Sequence, residues 1–344
     1  MKAPMLWDLF CRVIDNHGDL GVCWRLARDL AARGEQVRLW IDDAEALAWM
    51  APQRPAGIDV RAWPDGDVDV PPGDIVIEAF GCDLPPAFVT RMAARQPAPR
   101  WINLEYLSAE DYVERSHGLA SPQFSGPGVG LTKHFFYPGF TPRTGGLLRE
   151  PGLLARIADF DGRAWLAERG WAPQPGERVV SLFAYANPAL RSLLDALARQ
   201  PTLLLACPGP LQASIADRPN LRTVALPYLP QDDYDRLLWA CDLNFVRGED
   251  SFVRAQWAGK PFVWHIYPQH EDDAHHAKLQ AFMDRAALPE VWRAVWRGWN
   301  GLAALPGELT GLAEARTHAA GWCAQLASQP DLLTQLQGFL GASS

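Results

Sequence analysis

Arg247, Gly248, Glu249, Asp250 and Ser251 form a short polar run between two apolar segments, and their side-chain types suit the holding of an anion. A turn of this kind that opens a helix presents unsatisfied backbone N–H groups and the positive end of the helix dipole to a diphosphate. Arg247 adds a permanent cation, and Gly248 lets the backbone come close to a ligand. Glu249 is the odd member, because a carboxylate beside a phosphate repels it unless it faces a hydroxyl or a cation. Arg247, Asp250 and Ser251 therefore read as ligand-holding and Glu249 as chemistry. The plainer alternative makes Asp250 or Ser251 the N-cap of the helix and the rest a solvated turn. A second acidic turn lies near the start, Ile14-Asp15-Asn16-His17-Gly18-Asp19-Leu20-Gly21. Asp15 and Asp19 stand four residues apart across it, so that both carboxylates can point into one cleft; alternatively, Asp19 simply caps the helix beginning near Leu20.

The elements that must position these turns are legible from periodicity. Residues 243–246 predict a buried strand, 252–258 a helix stopped by Gly259-Lys260-Pro261, and 262–266 a further strand, together one unit of a parallel sheet. Residues 6–13 predict a strand, followed by a helix through Arg33 that stops at Gly34 and a strand over 36–41. The first turn thus sits at the carboxyl end of a strand, where open α/β sheets keep their sites. It is not a GxGxxG fingerprint, which argues against a dinucleotide cofactor.

Strands over 58–63, 74–80 and 100–104, with helices over 44–50 and 86–95, continue a doubly wound alternation. Gly81 and Glu105-Tyr106 again follow strands and are candidates to line the same cleft. Between 117 and 152 the periodicity fails and Gly and Pro accumulate, the mark of a functional loop or lid, with Phe135, Phe136, Tyr137 and Phe140 as its anchors. A helix over 153–169 leads to Pro173-Gln174-Pro175-Gly176, read as the hinge. Strands over 178–183, 203–206 and 221–226 then repeat the architecture of the first half. The expected domains are 1–172 and 173–327, with an amphipathic helix over about 328–344 packing back on the first through Leu332, Leu333, Leu336, Phe339 and Leu340.

A chain of 344 residues has room for two domains, and its 48% hydrophobic and 21% charged content describes packed cores and excludes a disordered chain. The net charge of -8 argues against a general nucleic-acid or membrane-surface binder and favours a basic partner. No apolar run reaches the roughly 18 to 20 residues of a membrane span and no signal peptide opens the sequence, so a cytoplasmic location is expected. Six widely spaced cysteines lack CxxC pairing and read as small core residues in a reducing compartment; most of the 15 tryptophans read as core too. Residues 269–276 are rich in metal-capable side chains, and Asp272 and His276 would stand one helical turn apart, but the run lacks a recognised ligand spacing.

Three long motifs, FCRVIDNHGDLGVCWRLARDLA (10–31), FFYPGFTPRTGGLLRE (135–150) and VRGEDSFVRAQWAGKPFVWHIYPQ (246–269), resemble those of the EarP family of bacterial protein-arginine rhamnosyltransferases, which modify elongation factor P. The resemblance runs in order over most of the chain. It implies a GT-B glycosyltransferase fold, two Rossmann-like domains facing across a cleft. It also implies transfer of L-rhamnose, with inversion, from dTDP-β-L-rhamnose to an arginine guanidine nitrogen of elongation factor P. Carried onto this sequence, the family's essential carboxylates fall on Asp15, Asp19 and Glu249, and its donor contacts on Tyr185, Gln231, Arg247, Asp250 and Ser251. His17 stands where relatives commonly carry an aromatic residue. No metal and no other cofactor is expected on this reading, because Arg247 and the helix amides serve the leaving diphosphate.

Overall fold

The computed structural model describes residues 3–14, 17–63, 70–216, 218–267 and 274–342. They form two compact units, Met1–Glu150 with Gln329–Ser344, and Pro151–Ser328.

In the first unit the elements run β1 (Leu6–Cys11), α1 (Gly18–Ala32), β2 (Gln36–Ile41), α2 (Leu47–Met50), β3 (Ile58–Ala62), β4 (Ile75–Ala79), α3 (Pro86–Ala94), β5 (Arg100–Leu104), α4 (Tyr112–Ser116), β6 (Ala120–Pro122) and β7 (Thr132–Phe136). The strands make one sheet in the order β3-β2-β1-β4-β5-β7-β6, parallel except that β6 runs antiparallel to β7. Parallel strands covered on both faces read as continuous apolar runs, and Trp7, Leu9, Phe10 and Cys11 of β1 are all fully buried. Alternate residues serve opposite faces. Leu9, Leu39, Ile77 and Ile102 pack toward α1, while Phe10, Trp40, Val76 and Trp101 pack with Phe88 of α3. One charge is built into this core: Asp8, fully buried, accepts from Arg38 Nε and Nη2 at 2.7 and 2.6 Å, from Trp40 Nε1 at 2.8 Å and from the Gly73 amide at 2.7 Å. Every acceptor site of that carboxylate is thereby used, as burial of an ion demands.

The second unit runs α5 (Leu153–Ala158), α6 (Gly162–Glu168), β8 (Arg178–Leu182), α7 (Leu190–Leu197), β9 (Thr202–Ala206), β10 (Leu221–Ala225), α8 (Gln231–Ala240), β11 (Leu243–Arg247), α9 (Asp250–Trp257), β12 (Phe262–His265), α10 (Ala274–Arg285), α11 (Glu290–Trp299) and α12 (Leu312–Ala327). Its sheet is wholly parallel in the order β10-β9-β8-β11-β12. The last helix, α13 (Leu332–Ala342), belongs to the first unit, where Leu332, Leu333, Leu336 and Leu340 join the α1 side of the core. It is pinned there by the Leu332 amide on Leu147 O at 2.9 Å and by Arg33 Nη2 on Asp331 Oδ1 at 2.6 Å.

Four expectations need correction. The stretch 117–152 is not irregular throughout: β6 and β7 extend the sheet beyond β5, and Phe135 and Phe136 are strand residues. The helix expected over 153–169 is two helices, because Asp161 caps a new one, its side chain accepting from the Ala164 amide at 3.0 Å. The units part at Glu150–Pro151, ahead of the 172/173 boundary and of the Pro-Gly hinge, since Trp165 and Leu166 of α6 pack against Val179, Leu203 and Leu237. A Cβ on Gly162 would stand 2.8 Å from the Ala240 Cα, so α6 is seated directly on α8. Finally, α9 begins at Asp250 and β11 includes Arg247, which shortens the turn to Gly248 and Glu249. All six cysteines are free thiols and five are buried. Among the described residues no helix is long and apolar enough to cross a membrane.

Candidate active site

In each sheet the strand order reverses about the first strand, between β1 and β4 and between β8 and β11. Ligand crevices open outside the carboxyl ends of strands at such switch points.

In the second unit the strands flanking the reversal are locked by Asn244, fully buried in β11, which accepts from Ser181 Oγ of β8 at 2.6 Å and donates to Leu238 O at 3.0 Å. The residues just past β8, Phe183 and Tyr185, meet the residue that ends β11. The Arg247 guanidinium carbon lies 4.3 Å from the Phe183 ring and 4.8 Å from the Tyr185 ring. Among the described residues its only hydrogen bond is a long one, Nη1 to Ala184 O at 3.4 Å. The cation is thus fixed by stacking with most of its five N–H donors uncommitted. Gly248 has φ of +64°, a left-handed conformation that side-chain-bearing residues avoid, and its carbonyl accepts from Trp264 Nε1 at 2.9 Å.

Glu249 occupies the N-cap position of α9 without a side-chain capping bond. Its Oε1 lies 2.6 Å from Lys278 Nζ of α10, so the cation that such a carboxylate needs is supplied by the protein. Asp250 Oδ2 accepts from Gln231 Nε2 at 3.4 Å, and the buried Ser251 hydroxyl donates to Arg247 O, tightening the turn. Neither Asp250 nor Ser251 is the N-cap. Tyr234, one turn after Gln231, sets its ring 5.6 Å from that of Phe183, and burial holds its phenol well above the ordinary value. His265 lies opposite Arg247 in the β11–β12 register, 8% exposed, with its ring 5.3 Å from Tyr185 and 5.6 Å from Trp299. Burial, with the Arg247 charge behind it, pushes this imidazole down to about 4; its Nδ1 meets no partner among the described residues. Tyr267, half exposed, sets its ring 5.4 Å from Tyr185. The assembly offers a stacked cation, the first-turn amides of α9 and flat aromatic walls, a set fitted to a diphosphate carrying a planar group.

In the first unit, β1 leads into the acidic turn. Asp19 sits in the first turn of α1, 3% exposed, where the helix dipole favours a carboxylate. It does not cap the helix, whose N-cap position is His17 without a side-chain capping bond; its Oδ2 instead accepts from the Ile14 amide at 2.9 Å across the turn. Asp15 lies outside the described residues. The His17 ring stands 5.2 Å from Trp49. Along the same sheet edge, Phe80 follows β4 with φ of +60° and stacks on Tyr106 at 4.4 Å. Glu105 follows β5, accepts from Asn103 Nδ2 at 2.8 Å, and is raised above its ordinary value by burial. Burial, then Glu105 and Tyr112, push the Tyr137 phenol up to about 12.

Tyr185, Gln231, Arg247, Gly248, Glu249, Asp250 and Ser251 are therefore gathered at one switch point, and Asp19 stands at the other. Sequence reasoning missed Phe183, His265, Tyr267 and Lys278. The aromatics were signalled by the FAYAN and WHIYP segments at strand ends; Lys278, on a separate helix, gave no signal. Among the described residues no group of three or more His, Cys, Asp or Glu is placed to hold a metal. Asp272 lies outside them.

Residues 7–341 match the family model described as elongation-factor P (EF-P) rhamnosyltransferase EarP. A protein-arginine rhamnosyltransferase of Pseudomonas aeruginosa is 46% identical, covering 97% of this chain and 98% of the relative, and one of Pseudomonas putida is 48% identical, covering 98% and 99%. A solved structure described as the structural basis for EarP-mediated arginine glycosylation of translation elongation factor EF-P is 35% identical, covers 99% of this chain and 100% of that chain, and superposes with a TM-score of 0.65. The spinosyn rhamnosyltransferase SpnG, 13% identical over 98% of this chain and 100% of its own, shares the fold with a TM-score of 0.55.

Proposed function

The chain belongs to the EF-P rhamnosyltransferase family, and from that we propose that it moves L-rhamnose from dTDP-β-L-rhamnose, with inversion, to a guanidine nitrogen of one arginine in translation elongation factor P. It is a protein-arginine rhamnosyltransferase of GT-B fold. The observation that carries the donor half is Arg247, stacked between Phe183 and Tyr185 at the switch point of the second sheet, beside the open end of α9.

An arginine side chain is a reluctant nucleophile, because its cation is delocalised and its pKa exceeds about 12. Carboxylates can bind that cation, aim one nitrogen at the anomeric carbon and accept its proton as the bond forms. Asp19 is the proposed general base and Asp15 the residue that orients the guanidinium. The C–N bond forms as the anomeric C–O bond to the β-phosphate breaks; the proton passes to Asp19 and dTDP departs. Arg247 and the α9 amides stabilise the departing charge, which on this reading removes the need for a metal. Tyr185 and Gln231 contact the donor; Asp250 and the backbone of Gly248 and Ser251 complete its site. Glu249 meets the sugar or supports the base. A translation factor as acceptor places the reaction in the cytoplasm.

Incubation of the protein with dTDP-rhamnose and elongation factor P, read by intact-protein mass, should add one deoxyhexosyl residue to the factor only when enzyme and donor are both present. Consumption of the donor with no gain in mass would overturn the acceptor assignment and leave a hydrolase or epimerase.

A further inference from the structure

We infer that Lys278 is a positioning residue of the donor site, which holds Glu249 in place and cancels its charge where the diphosphate docks; the inference rests on the donor reading above. Lys278 Nζ lies 2.6 Å from Glu249 Oε1, and both side chains are largely shielded, at 22% and 15% exposure, so water does little to weaken the pair. The Glu249 side chain does not cap its own helix and reaches Lys278 on α10.

Lys278 is itself aimed. Phe282, one turn further along α10 and on the same face, packs its ring 4.7 Å from Phe252 in the first turn of α9. Phe252 in turn stacks on Trp264 at 4.0 Å. The Lys278 ammonium stands 6.0 Å from the Trp264 ring, whose Nε1 holds the Gly248 carbonyl at 2.9 Å. One aromatic stack thus fixes both the backbone of the turn and the cation that serves its carboxylate.

The charge balance gives the functional sense. Among the described residues the turn itself carries Arg247, Glu249 and Asp250, and Lys278 adds a cation to it. Loss of Lys278 shifts the local charge by one unit toward negative beside a diphosphate, and like charges at a few ångströms repel strongly at a shielded site.

The test is the affinity for dTDP, measured by calorimetry, in the unaltered chain, Lys278→Arg, Lys278→Met and Lys278→Met with Glu249→Gln, each checked for its unfolding temperature. Lys278→Arg should bind within about twofold of the unaltered chain, and Lys278→Met about tenfold more weakly. Adding Glu249→Gln should bring dTDP affinity back to within about threefold, since the carboxylate that Lys278 offset is gone, while transfer, for which the Glu249 carboxylate is proposed to be needed, should be lost. A merely structural role for Lys278 predicts no such recovery. Unchanged dTDP binding by Lys278→Met, or failure of Glu249→Gln to restore it, would overturn the inference. Absence of dTDP binding by the unaltered chain would instead sink the donor reading itself.

Discussion

Arg247 and Asp19 illustrate two ways of preparing a charge for work. The guanidinium is held by aromatic faces, which leave its N–H donors to a ligand; the carboxylate is held in the first turn of a helix by a backbone amide. Their loss should therefore differ in kind. Arg247→Ala should weaken dTDP binding by about 1.5–3 kcal/mol, the worth of hydrogen bonds to a charged group. Asp19→Asn should lower transfer by about 10²- to 10⁴-fold with dTDP binding retained. Calorimetry and initial rates separate the two, and a fully active Asp19→Asn enzyme removes the base assignment. His265 gives a pH signature. Its folded-state value near 4 lies below the unfolded value of about 6.5, so between these pH values the unfolded chain takes up a proton that the folded chain refuses. Stability contributed by neutral His265 is complete above pH ~6.5 and falls by about 3 kcal/mol as the pH drops to ~4. His265→Phe should flatten that part of the dependence of the unfolding temperature on pH; an unchanged acid limb would refute the account.

At the scale of elements, the turn proposed to hold the donor is only as well placed as α9, and α9 is held to α8 by a buried pair. Arg254 Nε and Nη2 donate to Asp235 Oδ1 and Oδ2 at 3.0 and 2.7 Å, with both side chains almost fully enclosed. Removing one partner takes the bidentate bond from a buried charge, so Asp235→Leu should cost about 3–5 kcal/mol, and Arg254→Met added to it should recover much of the loss. Urea unfolding checks both, and dTDP affinity should follow stability. This pair also marks the limit of what the sequence discloses. Strands such as Leu203–Leu205 and Leu243–Val246 are legible because burial on both faces demands continuous apolar runs. The turns they end in, and hence most of the donor site, follow from that frame. β6 escapes notice because it is three residues long and mostly exposed, and the break between α5 and α6 because one cap decides it. Asp235 with Arg254, Glu249 with Lys278 and Asp8 with Arg38 join residues 19 to 30 positions apart. Such pairings are set by how helices and strands pack, and no local pattern encodes them.

At the scale of the whole molecule, the first unit is not finished by the residues that begin it. Leu332, Leu333, Leu336 and Leu340 of α13 close the α1 side of its core, each side chain stabilising by about 1.5–3 kcal/mol through burial. In sum this rivals the total stability of a domain. Deletion of 329–344 should therefore abolish transfer and expose the first unit to proteolysis, while dTDP affinity, assigned on the proposed reading to the second unit, should persist. Loss of dTDP binding on truncation would show that the two units do not behave separately. The same feature dictates an order of events during synthesis. The 178 residues of 151–328 must be made between Glu150 and the helix that completes the first core, an interval of about 9–36 s at ordinary bacterial elongation rates. Through that delay the first unit lacks the apolar cover that Leu332, Leu333, Leu336 and Leu340 supply. On the proposed reading, a chain cut short before α13 should therefore bind dTDP and fail to transfer the sugar.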